Sequence, residues 1–466
     1  MKDNFHSNAK KKLSLIDGAA LNARLCTEDC SMQTVLQGIR CVQFSTKEAE
    51  MKRRFVLVVL VLTALFMAGA QQKEIRVLLA NHPYGDLLKT VIPEYEKATG
   101  IKVNVESLQE SQLTTKLTTE FATRSSTVDV FMTRPLQEGK MFYKNGWYEP
   151  LADYDFSDYP KNAMDVAIFG SKAYLVPLVT EWQVLYYRAD LLKKAGLAVP
   201  KNFEELEAAA KKLNSADIAG FASRGKGAAA VTQLSSYVYN FGGRYLDKGK
   251  AVFDSREALD AIRFYGRMLA SYGPKGVTNM SWENIMPLFQ AGKVAMWTDA
   301  SVFYGQIVDP AKSQVPAESV GIANFPAGPK GNTPFIVVSW GMAVAKQSKN
   351  KALAMDFIKW ATSKELAKRG LLANITMARN SVWQDSEVLS KVHPGLISTR
   401  DYASKNGFPY DRPYMSAVGE ARDLIGEVII ESINTAGASP RLEALAKEKA
   451  AAVNDLLMDT GEYGVY

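Results

Sequence analysis

The sequence predicts an α/β fold in two lobes, and two observations carry that prediction. After residue 73, strand-like and helix-like stretches alternate. A strand–helix–strand–helix–strand order calls for a parallel sheet with right-handed crossovers. Further on, residues 173–192 hold two strand-like runs, 174–176 and 184–187, with Pro177 between them. A continuous central strand would lose a ladder donor at Pro177. Polar Thr180, Glu181 and Gln183 flank Trp182 in an otherwise apolar segment. A core strand has no use for a carboxylate and an indole there. The stretch therefore reads as chain crossing from one lobe to the other, with Thr180, Glu181 and Trp182 at the mouth of the cleft.

Length fits this picture, since 466 residues suggest two or three domains. The net charge of +7 is uneven: residues 1–50 carry +1, residues 51–70 carry +3, and the long remainder only +3. So weak a surplus gives no argument for a nucleic-acid partner. All three cysteines, Cys26, Cys30 and Cys41, precede Met51. A thiol-free remainder suits a protein exported to an oxidising compartment. Cys26 and Cys30 have no His or Cys partners at metal-binding spacing, so neither a metal nor a cofactor is expected.

Residues 51–70 have the three parts of a secretory signal. Lys52, Arg53 and Arg54 form the basic start, residues 55–67 an apolar run broken only by Thr63, and Ala68-Gly69-Ala70 the small residues before cleavage. The apolar run is shorter than the ~20 residues that span a bilayer. Gln71 then begins the mature chain, with no Cys after the cleavage point to carry a lipid, which favours a secreted, periplasmic location. Met51 is read as the true start and residues 1–50 as a mis-called upstream extension. The other reading is a genuine, poorly ordered N-terminal segment.

The mature chain opens with a buried strand over 73–80 and an amphipathic helix over 85–99, bent at Pro93 and ended by Gly100. A second strand covers 102–106. Leu113, Leu117 and Phe121 mark a second helix, and 128–132 is a third strand closed by Thr133-Arg134-Pro135. Ligands in such sheets meet the loops after the strands. Those loops here carry Asn81-His82-Pro83-Tyr84 and Thr133-Arg134, while Asp129 inside the third strand is placed near the cleft edge. After the crossing, Asn202 caps a helix to Leu213 and a strand follows over 217–222. Residues 228–241 are helical, with Thr232, Gln233 and Ser236 on a polar face. Helices over 256–272 and 281–291 precede a strand over 293–297, after which Asp299 is either a helix cap or a ligand contact. Strands over 320–325 and 335–345 follow, the second returning to the first lobe and placing Ser339 and Trp340 at the cleft. A helix over 349–362, a third crossing over 376–380 and a helical tail beyond Pro413 complete the chain.

One motif misleads. Residues 220–227 have the Gly and Lys spacing of a phosphate loop, but Gly227 stands where a Ser or Thr hydroxyl should hold magnesium. No convincing Asp-bearing strand accompanies it, so nucleotide hydrolysis is set aside.

The helix ending Tyr95-Glu-Lys-Ala-Thr-Gly-Ile-Lys-Val103, then Asp129-Val-Phe131, resembles family 1 of the extracellular solute-binding proteins of ABC importers, the sugar-binding group that includes the maltose-binding protein. Val176-Pro177 with residues 184–192 resembles that family's first interlobe crossing. Residues 289–297 resemble its second-lobe strand, and Trp340-Gly-Met-Ala-Val344 with residues 352–365 its return to the first lobe. The similarity covers nearly all of residues 74–466, and order and spacing together make it specific. It implies a two-lobed type II periplasmic-binding-protein fold, each lobe a mainly parallel sheet flanked by helices. Residues 71–179 and 337–378 would form lobe 1, residues 180–336 and 379–466 lobe 2. It implies a monomer that captures a sugar, oligosaccharide or polyol by hinge closure and delivers it to a membrane permease, with no catalysis.

A polyhydroxylated ligand needs flat rings against its C–H faces and bidentate polar partners for its hydroxyls. The chain offers Tyr84, Trp182, Trp297 and Trp340 for stacking, and Glu181, Asp299, Gln233, Arg134 and Arg379 for hydroxyls. Met296-Trp-Thr-Asp-Ala300 looks most like the polyol-binding members, which favours the ligand role for Asp299. The plainer expectation is that roughly half of the Trp residues fill core, and that Arg134, Arg379, Tyr84 and Gln233 serve structure. Glu181 and Trp182 stand out because they follow directly on the crossing. Two other functions compete. A secreted polysaccharide-degrading enzyme would use Glu181 and Asp299 as a carboxylate pair, although triad and zinc motifs are missing and the mature chain has only His82 and His393. A binding protein for a non-sugar solute, such as an anion, would instead show several Arg and few aromatics.

Overall fold

The computed structural model describes residues 73–465. Residues 1–50, expected to be an upstream extension, residues 51–70, expected to be a signal, and the three cysteines lie outside the described residues. Strand β1 (Glu74–Ala80) leads into α1 (Pro83–Thr99), and β2 (Lys102–Leu108) into α2 (Glu110–Ala122). Both strands end where predicted or slightly later, and α1 starts two residues early. The reason is local: His82 is extended, its ring accepts from Tyr84 N, and Pro83 occupies the first turn, where a missing N–H costs nothing. Gly100 ends α1 at φ +70°, as a left-handed cap. Strand β3 (Val130–Thr133) is fully buried. Asp129 just precedes it, at the end remote from the loops that follow the strands. Its carboxylate is spent on structure, accepting from Arg76 N (2.8 Å) and Ser348 Oγ (2.6 Å).

The predicted break at Pro177 does not occur. Residues 176–188 form one strand, β4 (Val176–Arg188). Pro177 is its second residue and lies opposite Gly341 beside a register irregularity, so the missing donor falls where the ladder is already disturbed. Beyond β4 come α3 (Phe203–Leu213), capped by Asn202, then α4 (Gly227–Phe241), α5 (Arg256–Tyr272) and α6 (Trp282–Gln290). Residues 217–222 form only isolated parallel bridges, Ala219 to Val294 and Ala222 to Trp297. Strand β5 (Met296–Ala300) starts three residues later than expected and includes Asp299, which therefore caps no helix. Strands β6 (Val320–Asn324) and β7 (Ile336–Val344) follow, then α7 (Lys351–Ala361), α8 (Pro394–Asn406), α9 (Val418–Asn434) and α10 (Leu442–Asp459).

The strands run in the order β6-β4-β7-β3-β1-β2, with β5 also paired to β4. β1 is parallel to β2 and β3, while β7 is antiparallel to both β3 and β4. The start of β4 therefore points the same way as β1–β3, and β7 alone opposes them. The end of β4 is antiparallel to β5 and β6, so there β4 is the opposing strand. In each lobe all named strands but one thus point the same way, and β4 belongs to both. Two hydrophobic cores flank this arrangement. One gathers Leu78, Phe121, Phe131, Phe142 and Phe357; the other gathers Phe203, Tyr237, Tyr265, Ile425 and Leu457. No helix of the described residues is long and apolar enough to cross a membrane.

The second core depends on close helix packing. At Gly266 of α5 an added Cβ would meet Ser432 Oγ of α9 at 2.2 Å. Gly266→Ala is expected to lower unfolding stability by about 1–3 kcal/mol through overpacking, measured as a lower urea midpoint with unchanged slope.

Candidate ligand-binding cleft

Three first-lobe groups stand at the loops that follow its strands, and the hinge strands add two more. After β1, His82 Nδ1 accepts from Tyr84 N, which leaves its Nε2–H to donate to Glu181 Oε1 of β4 at 3.2 Å. After β2, Glu110 occupies the first turn of α2. After β3, Arg134 spends its whole fork on protein: Nη1 donates to Glu110 (2.7 Å), Nε and Nη2 to Glu138 (3.1 and 2.7 Å), and Nη2 to Thr114 (2.6 Å). Trp340 of β7 is buried between them, its ring 5.6 Å from that of His82 and 5.5 Å from the Arg134 guanidinium.

The second lobe answers with a network centred on Asp299. Its carboxylate accepts a fork from Arg224 (Nε 3.0 Å, Nη2 2.5 Å), Gln233 Nε2 (2.9 Å), Trp297 Nε1 (3.2 Å) and the Ala300 amide (2.8 Å). Burial pushes the Asp299 carboxyl up, Arg224 pulls it back, and the Glu181 charge adds to the rise. Arg224 feels Glu110 and Glu181 as well as Asp299, so the charges of the two lobes act on one another. Trp282 at the start of α6 closes the circuit: its Nε1 donates to Glu110 at 3.2 Å, and its ring stacks on Phe303, which stacks on Trp297. Gln183 Nε2 donates to Gln233 O at 3.0 Å, while both amide oxygens, Gln183 Oε1 and Gln233 Oε1, are buried without a protein donor.

Six of the nine sequence-derived candidates therefore meet in one network: Glu181, Arg134, Trp340, Gln233, Trp297 and Asp299. The other three lie elsewhere. Successive side chains of a strand point to opposite faces, so with Glu181 toward His82, Trp182 points away. Its indole donates to Thr399 of α8 and packs edge-on against Trp383. Tyr84 is buried in the first core and donates to Ala361 O. Arg379 braces the third crossing, donating to Thr362 O, Asp158 and Tyr154. Gln233 is fully buried, not on a solvated face, and Trp297 acts as a buried support for Asp299.

Sequence reasoning passed over Glu110, Arg224 and Trp282, and named His82 only as part of a loop. The rule that ligands meet strand-following loops points to His82, Glu110 and, after the bridged segment 219–222, Arg224. The phosphate-loop resemblance drew attention away from the last. The Gly225 and Lys226 amides both donate to Met280 O, so they are not arranged to cradle phosphate. Among the described residues no group of three or more His, Cys, Asp or Glu is placed to hold a metal ion.

The sequence profile of the bacterial extracellular solute-binding proteins matches residues 80–368. The mannitol-binding protein of Pseudomonas aeruginosa is 31% identical over 329 residues, covering 68% of this chain and 69% of that protein. A solute-binding protein of Agrobacterium radiobacter K84, solved with ribitol, is similar in structure with a TM-score of 0.75 at 27% identity, over 82% of this chain and 98% of its own. Another from Agrobacterium vitis S4, solved with D-mannitol, has a TM-score of 0.72 at 26% identity, over 84% and 99%. The chain belongs to the bacterial extracellular solute-binding protein family.

The charge network has a pH signature. Burial works to raise the Glu110 carboxyl, but Arg134, with Arg224 and Arg412 beyond it, outweighs burial and holds it at about 2, against 4.5 ordinarily. A carboxyl lowered on folding contributes stability that is complete above its unfolded value and lost as pH falls through the folded one. Glu110→Gln is therefore expected to lower stability at pH 7 by roughly 1–2 kcal/mol, allowing for partial exposure. The gap to wild type should close between about pH 4.5 and 2, read from urea midpoints across pH.

Proposed function

We propose that the cleft between the lobes captures a polyol or sugar and that the closed, loaded form hands it to an ABC permease. The observation that carries this reading is the facing pair of buried polar clusters, Asp299 with Arg224 and Gln233 on one side, Glu181 with His82 on the other, beside the ring of Trp340. Carboxylates and guanidinium groups already held by neighbours are fixed in place, so they meet ligand hydroxyls with little further ordering cost. Gln183 and Gln233 each add a buried amide oxygen that a hydroxyl donor would satisfy. The polyols of the similar proteins, mannitol and ribitol, have this chemistry: many hydroxyls on a short carbon chain.

In this reading Glu181, Gln233 and Arg224 hold hydroxyls, Asp299, whose oxygens are filled by its own donors, fixes Arg224 and Gln233 in place, and Trp340 and Trp282 present ring faces. Arg134 fixes Trp340 and Glu110, and Trp297 fixes Asp299. Trp182, Tyr84 and Arg379 hold the hinge and first lobe in shape. Residues 71–179 and 337–378 move as one lobe, and residues 180–336 and 379–466 as the other. A ligand touching both favours the closed form because only that form offers it both walls. The protein works as a monomer in the periplasm, after cleavage behind Ala70. In this reading it captures its ligand and releases it unchanged.

The test is a thermal-shift and calorimetry screen of the chain from Gln71 against mannitol, ribitol, erythritol and maltose. At least one should raise the melting temperature, since a ligand of the native state adds stability, and should be recovered unchanged. Asp299→Asn should weaken that binding by about tenfold or more with circular dichroism retained. No shift with any polyol or sugar, or conversion of the ligand to product, overturns the reading.

A further inference from the structure

Beside the candidate cleft, one first-lobe segment reaches the second lobe directly. Pro135–Gly139 form a π-helical turn that Lys140–Lys144 continue as a short helix. Leu136 and Phe142 anchor this segment in the first core. Opposite lie residues 411–422, of which Met415, Val418 and Ala421 belong to the second core, and residues 460–462, which follow Leu457 of the same core.

The contacts between them are polar and specific. Gln137 Oε1 accepts from Arg412 Nη1 at 2.9 Å and from Arg422 Nη1 at 2.5 Å. Lys140 Nζ donates to Tyr414 O (2.9 Å) and Glu462 (3.0 Å). Lys144 Nζ donates to Thr460 O (2.9 Å), and Ser416 N holds the other Glu462 oxygen (2.8 Å). Arg412 also forks onto Asp411. Arg422 is different. It is buried and donates to Ala228 O, Thr232 and Gln137, but forms no ion pair with a described carboxylate. Burial, with Arg412 and Arg134 nearby, draws its guanidinium well below its ordinary pKa.

Two guanidinium groups of one lobe thus share a single neutral oxygen of the other. A buried cation with no direct ion-pair partner, helped only at a distance by Asp411 and Glu110, is costly, and an amide oxygen offsets that cost less than a carboxylate would. The contact is therefore weaker than an ion pair would be, and it joins a segment of one lobe to a segment of the other. None of its members is a hydrogen-bond partner of Glu181, Asp299 or Trp340.

We propose that Gln137, gripped between Arg412 and Arg422, forms with the Lys140–Glu462 pair a clasp that sets how readily the lobes close and so tunes affinity for whatever the cleft holds. The proposal rests on the capture reading for its link to affinity, and on the interlobe contacts alone for its link to closure. A neutral residue at 137 keeps the empty protein open enough to load. A carboxylate there would shift the free population toward the closed form and lift apparent affinity by removing the closing cost.

The experiment substitutes one position in opposite directions and uses the chain from Gln71. Gln137→Glu is expected to make the ligand-free protein more compact in small-angle scattering and to tighten mannitol binding by about tenfold, mainly through slower release. Gln137→Ala and Glu462→Gln are expected to expand it and weaken binding by a similar factor. Weakening by both Gln137 substitutions, or unchanged scattering and affinity in all three variants, overturns the clasp. If no polyol binds, the capture reading falls alone, because scattering of the ligand-free variants still decides whether the clasp governs closure.

Discussion

The rest of the structure depends on a single strand that serves two sheets. The first half of β4 pairs with β7 in the first lobe, and its second half lies between β5 and β6 in the second. Backbone hydrogen bonds in both halves fix its rotation, so the period-two alternation of its side chains is not free to adjust. Glu181 must face the cleft if Trp182 packs on the far side, and Gln183 must follow Glu181. A substitution that rotated this strand by one residue would exchange the polar and apolar faces together.

Around that strand, charge is concentrated where it is most expensive. Asp299, Arg224, Glu138 and Arg134 all have side chains at most 11% exposed, yet each is engaged by a partner of opposite sign. Burying charge stabilises little or nothing overall, and breaking such a pair costs several kcal/mol. Its value here lies in fixed orientation. The Asp299 carboxylate has four side-chain donors' worth of bonds and one from the backbone, so it cannot swing when a ligand arrives. Fixed dipoles next to an indole suit a solute that is polar at its hydroxyls and apolar along its carbons. The family's role as binding proteins and the polyols of the similar proteins agree with that chemistry.

Much of the architecture was legible in the sequence because it follows local rules. Helix periodicity marked α1, α2 and α5 closely, and Gly100 marked an end that only a left-handed residue makes easily. The resemblance supplied the lobes. What stayed hidden depends on partners distant in the chain. Nothing near Trp182 reveals that Thr399 takes its indole N–H, and nothing near Arg379 reveals Asp158. Proximity to the crossing identified residues 181 and 182, but parity along the strand decides which of them faces the cleft, and parity shows only once β4 is one continuous strand. Pro177 concealed that continuity, because its cost was absorbed by a local irregularity. Arg224 sat inside a glycine-rich run whose spacing suggested phosphate, and its true neighbour, Asp299, is 75 residues away.

The central claim is that the two lobes close about the hinge strands on a small polyhydroxylated ligand. Its most direct test is a distance. The chain after Met51 has no native cysteine, so spin labels on cysteines introduced at exposed Lys102 and Lys447 report only the separation of the lobes. Saturating mannitol or ribitol should shorten and narrow that distance distribution. An identical distribution with and without a polyol that demonstrably binds would contradict the account.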